Sequence, residues 1–235
     1  MKTNIYSQKT ARGAFALICV IVSVLTLSSL QSAAGVIPVN AKAHGKSYGE
    51  WSAAWWQWNM EHPLEGHPSI DDPSFDVTSG QTGNVWFLGF PFGPGVERQI
   101  TIPTGTTLFI SLLNAEASDL EGLGNTPEER LENASFLADH IRNLSVTIDG
   151  VSVKNLHRFR VVSPEFTFTA PTPWIFGETG GEGTSVGDGY FLLLTPFSAG
   201  THTIHIGGDF HFSTAEGDPF DFDAVADMTY VITVQ

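Results

Sequence analysis

The sequence predicts an all-β fold, a single antiparallel β-sandwich of jelly-roll-like arrangement with two helices, one of them rich in tryptophan. From Val85 onward, apolar residues alternate with polar ones in many short runs that turn residues separate, a pattern typical of antiparallel sheets. The chain beyond residue 34 contains no Ser/Pro-rich linker and is long enough for one sizeable core. We therefore expect one domain over residues 35–235.

Residues 1–34 have the pattern of a secretory signal peptide. Three basic residues precede an uncharged apolar run over residues 14–30, and the small residues Ser32 and Ala34 fit a signal-peptidase site before Gly35. The sequence thus predicts an exported protein, periplasmic or extracellular, with no membrane span after cleavage.

The charge balance excludes several classes of partner. Removing residues 1–34 leaves eight basic against twenty-five acidic residues, a formal net charge of −17. Such a charge repels nucleic acid and anionic lipid. The one cysteine, Cys19, lies within the predicted signal peptide, so disulfides and thiolate metal sites are not expected in the exported protein.

The first predicted helix, over residues 47–60, holds four of the six tryptophans. At about 100° per residue, Trp51, Trp55 and Trp58 share one stripe with Tyr48, which favours a buried face. Trp56 points away from this stripe. It is our candidate for an exposed ring that stacks on a ligand such as a sugar.

The second helix and the strands have local signals of their own. Thr126 is a predicted N-cap, with Pro127 at the first helical position and Glu129 completing a capping box. Asp149-Gly150 predicts a two-residue hairpin turn between strands over residues 144–153. Further strands are expected at residues 85–89, 98–102, 107–113, 159–162, 166–169, 190–194, 201–212 and 228–234. The glycine-rich acidic stretch 177–189 predicts a mobile loop.

Two segments resemble a family of secreted bacterial proteins that has no assigned activity. They are YGEWSAAWWQW at residues 48–58 and GQTGNVWFL at residues 80–88, and shorter matches follow over most of the chain beyond the signal peptide. The resemblance implies export and a single all-β domain. It implies no catalytic residue.

Oxygen-bearing side chains follow the strand that is expected to end at Leu113. Asn114, Glu116, Asp119 and Glu121 form a predicted loop whose carboxylates suit either calcium or a pair of acid/base groups. Glu116 is accordingly a candidate ligand-binding residue.

The strand over residues 201–213 separates into an apolar and a polar face. Asp209 and His211 lie two residues apart on the polar face, about 6.7 Å from each other, and could share a metal or another ligand. His205 is too far from Asp209 to join them unless Gly207-Gly208 forms a bulge. A solvated sheet face is the alternative.

A second acidic cluster precedes the final strand. Asp218, Asp221 and Asp223 are candidate metal ligands, and calcium is the cation that their hard oxygen atoms suit. No other cofactor is expected.

Three functional hypotheses remain open. The first is a non-catalytic binding or surface-matrix protein, with a neutral polysaccharide as its partner. The second is a hydrolase that uses carboxylates near Glu116. The third is a structural envelope protein that assembles through the tryptophan helix.

Overall fold

The structure, a computed structural model, describes residues 35–91 and 93–235. The predicted signal peptide lies outside the described residues. Within these residues the protein is mostly β, with two α-helices and two five-stranded sheets. The elements are α1 (Tyr48–Met60), β1 (Val85–Leu88), β2 (Gly93–Ile102), β3 (Thr107–Ser118), α2 (Pro127–Asp139), β4 (Ile141–Ile148), β5 (Val151–Ser152), β6 (Arg160–Val162), β7 (Phe166–Ala170), β8 (Gly181–Leu194), β9 (Gly200–Phe212) and β10 (Phe222–Val234).

Both sheets are mixed. The first has the order β1-β3-β8-β6, with β7 also paired to β8, and the second has the order β2-β10-β9-β4-β5. The pairs β1/β3 and β2/β10 are parallel, whereas the other strand pairs are antiparallel. The expectation of purely antiparallel pairing is therefore wrong for these two pairs, whose partners are joined by longer connections than hairpins.

The two sheets share one apolar core, and α1 packs on the outer face of the first sheet. Alternate residues of β3 and β8 face in opposite directions, so Ile110 and Leu192 enter the core between the sheets. Phe109 and Phe191 face α1 instead. The first sheet is consequently buried on both faces, which explains why β3 is buried along almost its whole length.

Helix α1 begins at a capping box and is held by its tryptophans. The Ser47 hydroxyl accepts from the Glu50 amide, and the Glu50 carboxylate accepts in return from the Ser47 amide. All four tryptophans of α1 are buried, as the stripe predicted for three of them. The expected exposure of the fourth, Trp56, is wrong, because its side chain is only 5% exposed.

Helix α2 follows β3 and packs against β3 and β8 through Ala134 and Ala138. Thr126 is its N-cap, as predicted, and its hydroxyl accepts from the Glu129 amide. The Glu129 carboxylate returns to the amide of Asn125, one residue before the position that a capping box uses. Arg160 then ties the helix to the sheet, because it binds Asp139 of α2 and Asp188 of β8.

Three predicted loops are strands in the structure. Strand β3 continues to Ser118 and therefore contains Glu116. Strand β8 begins at Gly181, so most of the glycine-rich stretch belongs to the first sheet. Strand β10 begins at Phe222 and includes Asp223. In contrast, the hairpin turn at Asp149-Gly150 is confirmed, with Ile148 paired to Val151.

Within the described ranges, the helices are too short or too polar to cross a membrane.

Candidate functional site

A cavity of about 500 Å³ lies beside the part of β3 that strand β1 does not reach. Pairing between β1 and β3 ends at Ile110, and the following residues of β3 form the inner wall of the cavity. Its other walls come from the loop after β3, from α2, from the loop before β8, and from β9 and β10. The bulk of these walls is apolar: Leu123, Leu137, Phe176, Phe210, Phe212 and Phe222. We call this cavity the phenylalanine pocket.

The strands place the phenylalanine rings by simple alternation. Phe210 and Phe212 lie on the inward face of β9, and Phe212 is 6.1 Å from Phe222 of β10 between ring centroids. Phe176 and Phe222 are 43% and 50% exposed, so they lie at the mouth of the pocket. A half-exposed apolar rim of this kind is typical of a binding surface.

Polar groups line the pocket at the side of the first sheet. They are Trp56, Asn114, Glu116 and Glu121. Trp56 and Glu116, which the sequence indicated separately, are thus brought to the same pocket. Glu121 comes from the predicted acidic loop, whereas nothing in the sequence pattern indicated Phe176 or Phe222.

Glu116 is a buried carboxyl group with a carboxyl neighbour. Its side chain, 5% exposed, hydrogen-bonds to Glu121 and accepts from the hydroxyl of Ser185. Burial, and next the adjacent Glu121, raise the pKa of Glu116 well above its usual value. Glu121 in turn accepts from the Ser118 hydroxyl at 2.7 Å. Burial and the neighbouring carboxyl group thus favour the protonated form of Glu116.

Trp56 lies next to this pair because β8 has a glycine at the adjoining position. Gly187 is the cross-strand partner of Glu116. A Cβ atom on Gly187 would lie 2.5 Å from Nε1 of Trp56, so the indole occupies the space of the missing side chain. Nε1 is buried and has no hydrogen-bond partner among the described residues.

Asp209 and His211 do not reach the phenylalanine pocket. They lie on the face of β9 opposite Phe210 and Phe212, as the predicted alternation requires. Asp209 accepts from the side-chain Nδ2 of Asn143 at 2.7 Å, while His211 pairs with Asp223 at 2.6 Å. Residues 207–208 pair with β10 without a register shift. The bulge that would bring His205 to Asp209 is therefore not formed.

Each of the candidate acidic residues before and within β10 hydrogen-bonds to separate neighbours. Asp218 accepts from His140 and from the amide of Ser213, and Asp221 accepts from Thr214. In the part of the chain that the structure describes, no three His, Cys, Asp or Glu side chains form a group that could hold a metal ion. Calcium binding by Asp218, Asp221 and Asp223 stays a prediction.

Two further pockets, of about 520 and 480 Å³, flank the exposed side of α1 and share Gln57 and Glu61. They are more polar than the phenylalanine pocket, and the one beside β7 and β8 is lined by threonines and by Asp119 and Glu182. Asp119 is already bonded to Thr184. The phenylalanine pocket is the site that combines an apolar interior with a buried carboxyl group, Glu116, and its partly exposed neighbour Glu121, as binding sites commonly do.

Comparison with known proteins adds no name to this site: no family model, no curated protein and no solved structure matches the chain.

Proposed function

We propose that this is an exported binding protein whose small, largely apolar ligand occupies the phenylalanine pocket. The observation that supports the proposal is the pocket itself, about 500 Å³ of space with four phenylalanines in its walls and a carboxyl pair at its inner side. This volume suits a small organic molecule, and the few polar groups on one side would orient it.

A polysaccharide has less support from the geometry. Sugar platforms expose flat aromatic faces, whereas Trp56 and its three neighbours on α1 are buried. The same burial weakens the proposal of assembly through the tryptophan helix. Four further statements stay proposals: export, cleavage after residue 34, a single domain and the jelly-roll-like arrangement. Sequencing the N-terminus of the purified protein checks the cleavage site.

Binding of a neutral fluorescent dye such as Nile red tests the proposal. We expect saturable binding that Phe222→Ser weakens, because the half-exposed Phe222 ring lines the mouth and its loss leaves the core intact. Val225→Ser is the matched control. Val225 is similarly exposed on the same strand but does not line the pocket. Equal effects of the two substitutions, or no saturable binding, would refute a ligand site here.

The Glu116–Glu121 pair also favours a second candidate, a hydrolase. Two adjacent carboxyl groups, one of them with a raised pKa, have the arrangement that a general acid and a general base require. A hydrolase would lose turnover of ester or glycoside substrates on Glu116→Gln, with its melting temperature maintained. A binding protein would show no turnover with either chain.

A further inference from the structure

The acidic side chains of the phenylalanine pocket have no basic partner among the described lining residues. Glu116 and Glu121 are its ionisable lining residues, and no lysine, arginine or histidine lines it in the described part of the chain. The groups that face Glu116 are Glu121 from the loop after β3, Ser185 from β8 and Trp56 from α1. None of them is a cation. The two carboxyl groups therefore face a largely apolar space with no cation among the described lining residues.

The basic side chains near this region are already engaged elsewhere. Arg130 of α2 is bound to Glu165 and to the carbonyl of Gly124. Arg160 is held between Asp139 and Asp188. Asp188 is the cross-strand partner of Ala115, and the side chain of Ala115 faces away from that of Glu116. A charge that enters the pocket to balance the pair must therefore come from a ligand.

Trp56 provides a second, independent observation. Its indole N–H is buried without an acceptor, and it lies over Gly187, the cross-strand neighbour of Glu116. Side chains at such positions are about 5 Å apart. A buried donor without a partner is costly. The donor has no partner in the part of the chain that the structure describes, and a carboxylate oxygen of Glu116 turned towards it would satisfy it.

We propose that the ligand of the phenylalanine pocket is an organic cation: an ammonium group that binds the Glu116–Glu121 pair, with an apolar body that packs among the phenylalanine rings. This inference rests on the proposed function and adds the chemical class of the ligand. Aromatic rings around an ammonium group add cation–π attraction, which desolvation strengthens. The acidity of the whole chain favours the approach of a cation in the same way.

Proton release is the signature that separates a cation from a neutral ligand. A bound ammonium group favours the ionised form of Glu116, so a proton held by Glu116 is released to the buffer as the ligand enters. A neutral ligand leaves that proton in place. An anionic ligand would face two carboxyl groups and no cation among the described lining residues, and is disfavoured.

The test uses three probes with one apolar body: phenylbutylamine, phenylbutanol and phenylbutyrate. We expect the amine to bind at least about tenfold more tightly than the alcohol, and the carboxylate to bind most weakly. At a pH where Glu116 keeps its proton in the free protein, the binding enthalpy of the amine should vary with the ionisation enthalpy of the buffer, reporting release of that proton. The enthalpy of the alcohol should not vary.

Glu116→Gln separates the possible outcomes. It should abolish proton release and weaken the amine about tenfold while leaving the alcohol unchanged. Glu132→Gln, on the exposed side of α2, is the control and should change neither. If the alcohol binds as tightly as the amine, or if no proton is released, the cation proposal is overturned and the pocket remains a ligand site. If no probe binds and Nile red does not bind, the proposed function fails as well.

Discussion

The pyrrole edge of Trp56 lies directly against Gly187, on the strand position that pairs with Glu116. This contact fixes the position of Trp56 in the wall of the phenylalanine pocket, although Gly187 itself does not line the pocket. Trp56 can occupy the space only because Gly187 has no side chain, so a backbone position of β8 controls where the indole of α1 sits.

Gly187→Ala should therefore displace Trp56 and destabilise the protein. The added Cβ would lie 2.5 Å from two ring atoms, and overpacking of this kind costs about 2 kcal/mol. Urea denaturation measures the change in the free energy of unfolding. Gly35→Ala is the control, since its Cβ would meet only Thr195 at an ordinary 3.5 Å. Similar stability of the two variants would show that the indole moves without cost.

The Glu116 carboxyl should make the protein less stable as pH rises. Its pKa is raised in the folded state, so between the unfolded and the folded value the folded protein binds more protons than the unfolded chain. Stability falls as pH increases from about 4.5 and levels off above the folded pKa. Glu116→Gln should flatten this decline. Denaturation from pH 4 to 8 checks it, and an unchanged slope would mean that Glu116 is ionised in the folded protein.

His67 should make an opposite contribution at acidic pH. Burial lowers the pKa of His67 to about 4, and the ring bonds the Asn59 carbonyl and the Ser69 amide. Since the unfolded histidine takes up a proton near pH 6.5, stability present above that pH is lost as pH falls towards 4, on the order of 3 kcal/mol. His67→Gln should reduce the acid dependence of unfolding. The exposed His157→Gln should leave it as it is.

Removing the Arg160 side chain should lower the free energy of unfolding more than removing an exposed ion-pair residue. Arg160→Ala would leave the Asp188 carboxylate buried without its bidentate partner, and breaking a buried pair costs about 3 kcal/mol. Arg142→Ala removes an exposed pair with Glu216 and should change the melting temperature little. Equal shifts in the two variants would contradict the assignment of Asp188 as a buried, dependent charge.

Local patterns in the sequence predicted the helices, the Asp149-Gly150 turn and the two faces of β9, because each depends on neighbouring residues. They did not predict the strand that contains Gly183 and Gly187. Glycines usually indicate a flexible loop, but here they admit the rings of Phe168 and Trp56 against the sheet. That requirement arises from packing between distant elements, so composition alone cannot show it.

The site was predictable in its parts and not in its assembly. Trp56 and Glu116 carry chemical signals of their own, but they meet only through β8, which is distant from both in sequence. The parallel pairs were hidden for a related reason. Alternation has the same period in parallel and antiparallel strands, and the partners Val96 and Met228 are far apart in the chain.

Strand β10 lies between β2 and β9, and this position sets an order of events during folding. Until residues 222–234 have been made, β2 lacks the strand that pairs with it, and both it and β9 present open edges to other chains. The second sheet is complete only after more than a hundred residues have followed β2 in the chain. Pairing between strands so far apart in sequence is intrinsically slow. A chain of this topology therefore exposes unpaired strand edges until β10 is in place.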